Sequence, residues 1–199
     1  MTALAAYGLS RKGVLLSNGI MFLITFTMFF GGGLIPSYLL IKDLGLINSR
    51  WALLLPGMIG TTNLIIMRTS FKAIPVSLEE SARLDGANDF VILFRIIIPL
   101  SMPVIAVMTL YYGVGHWNSW FNAMIYLQDR NLFPLQLILR EILIDNSTDV
   151  IELESNDSEP IAETIKYATI MVATIPILFI YPFIQKYFVK GVMIGAIKQ

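Results

Sequence analysis

Residues equipped for chemistry are few in this chain, and they crowd into one stretch, SLEESARLDGANDFVILFRIIIPLSMP (77–103). Glu80, Arg83 and Asp85 stand there beside a glycine, Gly86. Carboxylates and a guanidinium at such spacing serve helix capping and ion pairing. Covalent and metal chemistry find little support elsewhere. There is no cysteine, so no thiolate or disulfide is available. The single histidine, His116, does not make a metal site alone. No G-x-x-x-x-G-K-[ST] phosphate loop occurs, and the glycine-rich GGGLIP (31–36) lacks the lysine. The chain therefore does not itself hydrolyse ATP.

The stretch has its own local logic. Ser77 as N-cap with Glu80 three residues later fits a capping box, and Pro75 ends the preceding helix. The spacing predicts a short helix over about 78–88. Ala82 and Gly86 lie four apart and share one face of it, while Glu80 and Arg83 stand beside one another. A face of small residues lets another surface approach closely. Phe90, Ile92, Leu93 and Ile96–Ile98 then lead into an apolar stretch, with Pro99 and Pro103 at its entry.

The elements that must carry this segment read as membrane helices. The 199 residues are 56% hydrophobic and 14% charged, with a mean hydropathy of +0.70. Soluble domains are nearer a quarter charged. Net charge is zero, which argues against a nucleic-acid partner. No cleavable signal peptide is evident, because the basic pair Arg11-Lys12 follows the first apolar residues instead of preceding them. Four stretches lack Asp, Glu, Lys and Arg: Gly13–Ile41, Trp51–Met67, Ile96–Gln128 and Tyr167–Gln185. A crossing takes about 20 apolar residues. Residues 1–10 are too short to span and read as the end of a helix that begins earlier.

The third stretch is long enough to be ambiguous. As one helix it would run roughly 50 Å at 1.5 Å per residue, against a hydrocarbon core of about 30 Å. Charge decides between one crossing and two. If residues 117–128 do not cross, Arg11, Lys12, Arg68, Lys72, Arg83 and Arg95 share a side with the tail lysines Lys186, Lys190 and Lys198. The other side then holds only Lys42, Arg50, Arg130, Arg140 and Lys166, with most of the acids. The positive-inside rule favours that arrangement. It puts 1–15, 68–95 and 186–199 in the cytoplasm, and 42–50 and 117–165 outside. Trp117, Trp120, Phe121 and Tyr126 then suit an outer aromatic belt. Leu135, Ile138, Leu139, Ile142 and Leu143 recur at helical spacing, predicting an interfacial amphipathic helix over 134–145 followed by an acidic, polar loop. No ionisable residue falls mid-span, which argues against a proton relay or ion-coupled transport.

The 80–99 pattern resembles the "EAA" loop of binding-protein-dependent ABC importers: E-A-A, three residues, G, nine residues, I, one residue, L-P. Glu80-Ser81-Ala82 stands for E-A-A, Gly86 follows after three, Ile96 after nine, and Ile98-Pro99 stands for L-P. Ser81 and Ile98 are the two departures. The flank DGA (85–87) and the end KGVMIGAIKQ (190–199) are similar to the maltose-permease branch. FTMFFGGGLIPSYLLIKDLGLINSRWALLLPG and NLIIMRTSF look closer still to permeases of the polysaccharide and oligosaccharide subset.

The resemblance covers essentially the whole chain. It implies an all-α, polytopic transmembrane permease of the type I ABC importer (MetI-like) kind, with four full spans plus an N-terminal stub where the family has six. Residues 1–199 would form a single permease domain, N-terminally short. Its coupling loop is expected at about 72–95, its outer loop at about 117–165 and its cytoplasmic tail at 188–199. Such a chain sits in the bacterial cytoplasmic membrane as a multi-pass protein in the lipid bilayer. It works with a second homologous permease, a dimer of ATP-binding subunits, and an extracellular or periplasmic solute-binding protein. It holds no cofactor, since ATP and Mg are bound by the ATPase.

By the same resemblance, Ser77, Glu80, Ser81, Ala82, Asp85, Gly86, Ala87, Ile96 and Pro99 belong to the ATPase-coupling loop. Glu80 would pair with a basic residue of the ATPase there. Gly191 and Gly195 belong to a tail that reaches the ATPases, and Asp129, Arg130 and Pro134 to the region facing the binding protein. The cargo implied is an oligosaccharide or polysaccharide-derived saccharide. An amino-acid or peptide permease shares the loop motif, and an inactive remnant of a longer permease shares the missing spans. A secondary transporter would show intramembrane charges or an internal repeat, and neither is present.

Overall fold

The computed structural model describes residues 1–11, 13–152 and 159–196. The described residues form helices and connections, with no strand among them. Two compact units divide the chain: one is Met1–Ile35, Pro56–Tyr111 and Lys186–Gln199, the other Pro36–Leu55 and Tyr112–Gln185.

Most of the four uncharged stretches are broken helices. Gly13–Ile41 forms α2 (Ser17–Phe26) and α3 (Leu34–Asp43), separated around Gly33 at φ +85°. That is a backbone conformation glycine adopts without penalty. In Trp51–Met67, the single turn α4 (Trp51–Leu54) stops before Pro56-Gly57, and α5 (Thr61–Lys72) starts afresh. Pro56 has no N–H to donate back to the Ala52 carbonyl, so the helical ladder does not continue through it.

The third stretch enters through α7 (Asp89–Ile92), a π-helical turn (Leu93–Ile97) and α8 (Ile98–Leu100), then bends by 88° into α9 (Met102–Trp117). The bend falls at Ser101, between Pro99 and Pro103. The Ser101 amide still donates to the carbonyls of Ile97 (3.0 Å) and Ile98 (3.1 Å). The helix ends at Trp117, and α10 (Phe121–Tyr126) is only six residues long. Tyr167–Gln185 alone behaves as one uninterrupted helix. It lies inside α12 (Glu159–Ala196), whose Glu163–Phe183 portion is long and apolar enough to cross a bilayer despite Pro176 and Pro182.

The core of the first unit forms where α1 (Thr2–Ser10) lies along α5. Ala6 is fully buried, with Ala3 and Ala5 packed beside it, and such small residues let two helices approach closely. On α5, Leu64, Met67 and Phe71 fall three and four residues apart and make one buried face. Ile92, Leu93, Ile97 and Met108 complete the cluster. Arg68 fastens the turn that follows α1: its Nε donates to the Leu9 carbonyl (2.8 Å) and an Nη to Asn18 Oδ1 (3.4 Å).

In the second unit, Ile41, Ala52 and Tyr126 pack together, and the Tyr38 and Tyr126 rings stack at 6.3 Å. Asn48, left-handed at φ 59°, pins this unit. Its amide donates to the Tyr126 carbonyl (2.8 Å), and its Oδ1 accepts from the amides of Gln128 (3.0 Å) and Asp129 (2.8 Å). Of the aromatic residues expected to form a belt, Tyr126 is buried, Trp117 and Trp120 are half-buried and Phe121 is exposed. Trp117 Nε1 donates to the Ala173 carbonyl (3.0 Å), and the Arg140 guanidinium lies 4.1 Å from the Trp120 ring centroid.

The amphipathic helix expected over 134–145 is α11 (Leu135–Glu152), which runs on into the segment read as an acidic loop. Among its described side chains Leu137 and Leu139 are buried, while Leu135, Ile142 and Leu143 are exposed. The apolar stripe therefore does not all point inward. Residues 153–158 of the expected loop lie outside the described residues.

Candidate functional site: a docking helix held by a buried carboxylate

The candidate site is α6 (Val76–Leu84) and the turn that follows it. The expected capping box is not formed. Pro75, at φ −56° and ψ 129°, occupies the N-cap position, so the helix starts at Val76. Ser77 then falls in the first turn and makes no cap hydrogen bond. Glu80, freed from capping, is exposed and makes no side-chain hydrogen bond or ion pair. Glu80 and Arg83 stand beside one another in sequence but are not paired. Arg83 Nη2 instead donates to Glu79 Oε1 (3.1 Å), one helical turn back, and to Asp89.

Sequence reasoning passed over Glu79, the most constrained residue of the segment. It is 6% exposed and held between two guanidiniums. Arg83 approaches from within α6, and Arg11, just beyond α1, approaches Oε2 from the other side. Arg11 also lies 4.7 Å from the Tyr7 ring centroid and donates to the Phe71 carbonyl (3.3 Å). Only the three-dimensional contact joins Arg11 to Glu79, because the two lie 68 positions apart. The hydrogen bond to Glu79 raises the Arg83 pKa above its ordinary value, and the Asp89 charge adds to this. Arg83 stays cationic throughout the physiological range.

The end of α6 is a Schellman turn. Gly86 stands at φ +82°, its amide donates to the Arg83 carbonyl (3.0 Å), and the Ala87 amide donates to the Ala82 carbonyl (2.9 Å). A Cβ on Gly86 would meet nothing within 4 Å, so the glycine serves backbone conformation and not close packing within this chain. The helix ends at Leu84 with Asp85 as its cap, shorter than the 78–88 expected. Asn88 then caps α7, its Oδ1 accepting from the Val91 amide (2.9 Å).

Residues singled out from the sequence thus divide by exposure. Ser77, Glu80, Ser81, Asp85 and Pro99 are on the surface, Ala82 is buried, and Ala87 and Ile96 pack partly against the core. Glu80 lines a cavity of about 910 Å³ together with Tyr7, Arg11, Phe71, Glu79 and Arg83. Elsewhere, Asp129 Oδ1 accepts from the Asn131 amide (2.9 Å), Arg130 pairs with Glu141 (3.4 Å), and the Pro134 carbonyl accepts from the Leu137 amide (3.0 Å). Gly191 and Gly195 fall within α12, and residues 197–199 of the tail lie outside the described residues. No group of three His, Cys, Asp or Glu side chains able to hold a metal occurs among the described residues.

The sequence pattern of the family described as "Binding-protein-dependent transport system inner membrane component" matches residues 1–194. The chain belongs to this family. It is a family of transport permeases of the membrane and not of enzymes. The polygalacturonan/rhamnogalacturonan transport system permease protein YtcP of Bacillus subtilis (strain 168) is 49% identical over 201 residues, which take in 100% of this chain and 70% of that protein. Protein LplC of the same organism is 43% identical over 97% of this chain and 66% of its own length. A solved structure described as a bacterial ABC transporter involved in the import of the acidic polysaccharide alginate superposes with a TM-score of 0.81 at 35% identity, covering 94% of this chain and 69% of that one. The chain thus spans about two thirds of the length of these relatives. The helical permease architecture implied by the EAA-like spacing is that of the family.

Proposed function

We propose that this permease is the membrane subunit of an ATP-driven importer, carries a saccharide across the cytoplasmic membrane, and takes its drive from a separate ATPase docked on α6. The observation that carries the docking role is the exposed, unpartnered Glu80 on a helix whose other acidic residue is buried and doubly paired. An exposed carboxylate on a fixed helix gives register and selectivity to a docking event. Ser81 and Asp85 share the exposed surface around it, and Gly86 closes the turn. A second homologous permease completes the pathway, and ATP and Mg belong to the ATPase. The Asp129–Pro134 region faces the solute-binding protein, and the tail with Gly191 and Gly195 reaches the ATPases.

The cargo class follows from the relatives. YtcP is named for polygalacturonan and rhamnogalacturonan, and the superposing structure for alginate import. We infer an oligosaccharide bearing uronate carboxylates. The test is capture of the ATPase by the membrane-inserted permease, comparing wild type with Glu80→Arg. Capture by wild type and loss in the variant supports the reading, and equal capture by both removes Glu80 from the dock. Uptake of labelled oligogalacturonate against a neutral oligosaccharide of equal length then tests the cargo.

A further inference from the structure

We propose that Arg11 is a positioning residue for coupling: through the buried Glu79 carboxylate it sets the pose of α6 from the end of α1. The proposal rests on the docking role of α6. Three observations carry it. A carboxylate as buried as Glu79 is expensive to desolvate and is held only where opposing charges and hydrogen bonds are well placed. Arg11 supplies such a partner from outside α6. Arg11 also binds the end of α5, through the Phe71 carbonyl. The helical acceptor position of that carbonyl points to residue 75, a proline with no N–H to donate. Among the described residues, the Ile74 amide reaches it at 3.4 Å and the Ala73 amide is also directed to it. One guanidinium therefore joins the ends of α1 and α5 to α6.

On the far side, Arg83 passes the same carboxylate on to Asp89, the first residue of α7. The two arginines are not equivalent. Arg83 is half exposed and bonds Glu79 within one helix, whereas Arg11 is largely buried and bonds it across segments. Arg11 relates α6 to α1 and α5, whereas Arg83 relates it to α7.

The test reads the pose without any ATPase, so its failure is separate from failure of the docking reading. The chain has no cysteine. Ala82→Cys therefore places a lone thiol on the buried face of α6, and Leu84→Cys places one at a position 89% exposed. In the membrane-inserted full chain, maleimide labels position 84 quickly and position 82 slowly. Arg11→Gln or Glu79→Gln added to Ala82→Cys speeds labelling at 82 by about tenfold, since the first leaves the buried carboxylate without its partner from outside α6 and the second leaves the largely buried Arg11 without its carboxylate. The combination Arg11→Gln with Glu79→Gln returns it toward the parent rate, because no lone ion remains and two amides can still bond. Unchanged labelling in the single variants, or simple additivity in the double, overturns the proposal. In the assembled importer, transport lost in the single variants and regained in the double ties the pose to coupling, and loss in all three denies it.

Discussion

Glu79 and Glu80 are neighbours in sequence and opposites in environment: Glu79 is buried between two arginines, while Glu80 is exposed and unpartnered. One residue of α-helix is a rotation of about 100°, enough to turn one carboxylate toward the core and the next toward solvent. The same acidic group therefore serves two ends, with Glu79 fixing the helix and Glu80 free to meet a partner.

Substitutions at the two positions should part accordingly. Glu80→Gln removes an exposed charge without disturbing a contact, and its effect on folding should stay within about 0.5 kcal/mol. ATPase capture should nevertheless fall. Proteolysis of the membrane-inserted chain measures the first and co-purification the second. A Gln variant that both folds and captures normally would sink the docking role of Glu80.

Gly86 makes a second, purely conformational prediction. At φ +82° a side chain is strained even though the space is open, so Gly86→Ala should destabilise the turn by roughly 1–2 kcal/mol. Gly86→Asn should cost less, since asparagine tolerates the left-handed region. Thermal melts in detergent should rank wild type above Asn above Ala. An Ala variant as stable as wild type would mean that the Schellman turn is not what holds α6 in register.

How much of this was legible in the sequence depends on the range of the interaction. The EAA-like spacing pointed to the family, whereas the turn at Gly86 falls inside the helix expected over about 78–88. Tyr167–Gln185 was readable because one long apolar run lies within one helix. Gly13–Ile41 and Trp51–Met67 were not, because absence of charge says nothing of where glycine and proline break the backbone. The capping box failed through competition: Pro75 presets a capping conformation and displaces Ser77 by two positions. Glu79–Arg11 was out of reach, since no periodicity relates residues in different helices.

The second unit offers an independent check at Asn48. Its side-chain oxygen holds two amides and its own amide holds a carbonyl, all at a left-handed backbone position. Asn48→Gly keeps the backbone conformation and loses the side-chain bonds. Asn48→Ala loses the bonds and adds strain. Each bond to a neutral group contributes about 1 kcal/mol, so both variants should loosen the 126–129 segment, Ala more than Gly. Hydrogen exchange at the Gln128 and Asp129 amides is the measurement, and unchanged protection would contradict the assignment.

The two candidate caps give the most discriminating comparison, because sequence and structure disagree on which one works. Ser77 has the sequence signature of an N-cap but makes no cap hydrogen bond, whereas Asn88 accepts from the Val91 amide. Ser77→Ala should therefore leave stability nearly unchanged or favour α6 slightly, since alanine is the better helix former inside a first turn. Asn88→Ala should cost about 1 kcal/mol, and Asn88→Asp should restore most of it, because both side chains cap well. The loss should appear locally as faster exchange at the Val91 amide. The opposite ranking, with Ser77→Ala costly and Asn88→Ala neutral, would return the helix start to Ser77 and turn Glu80 back toward capping, which would undo the contrast with Glu79 on which the docking role rests.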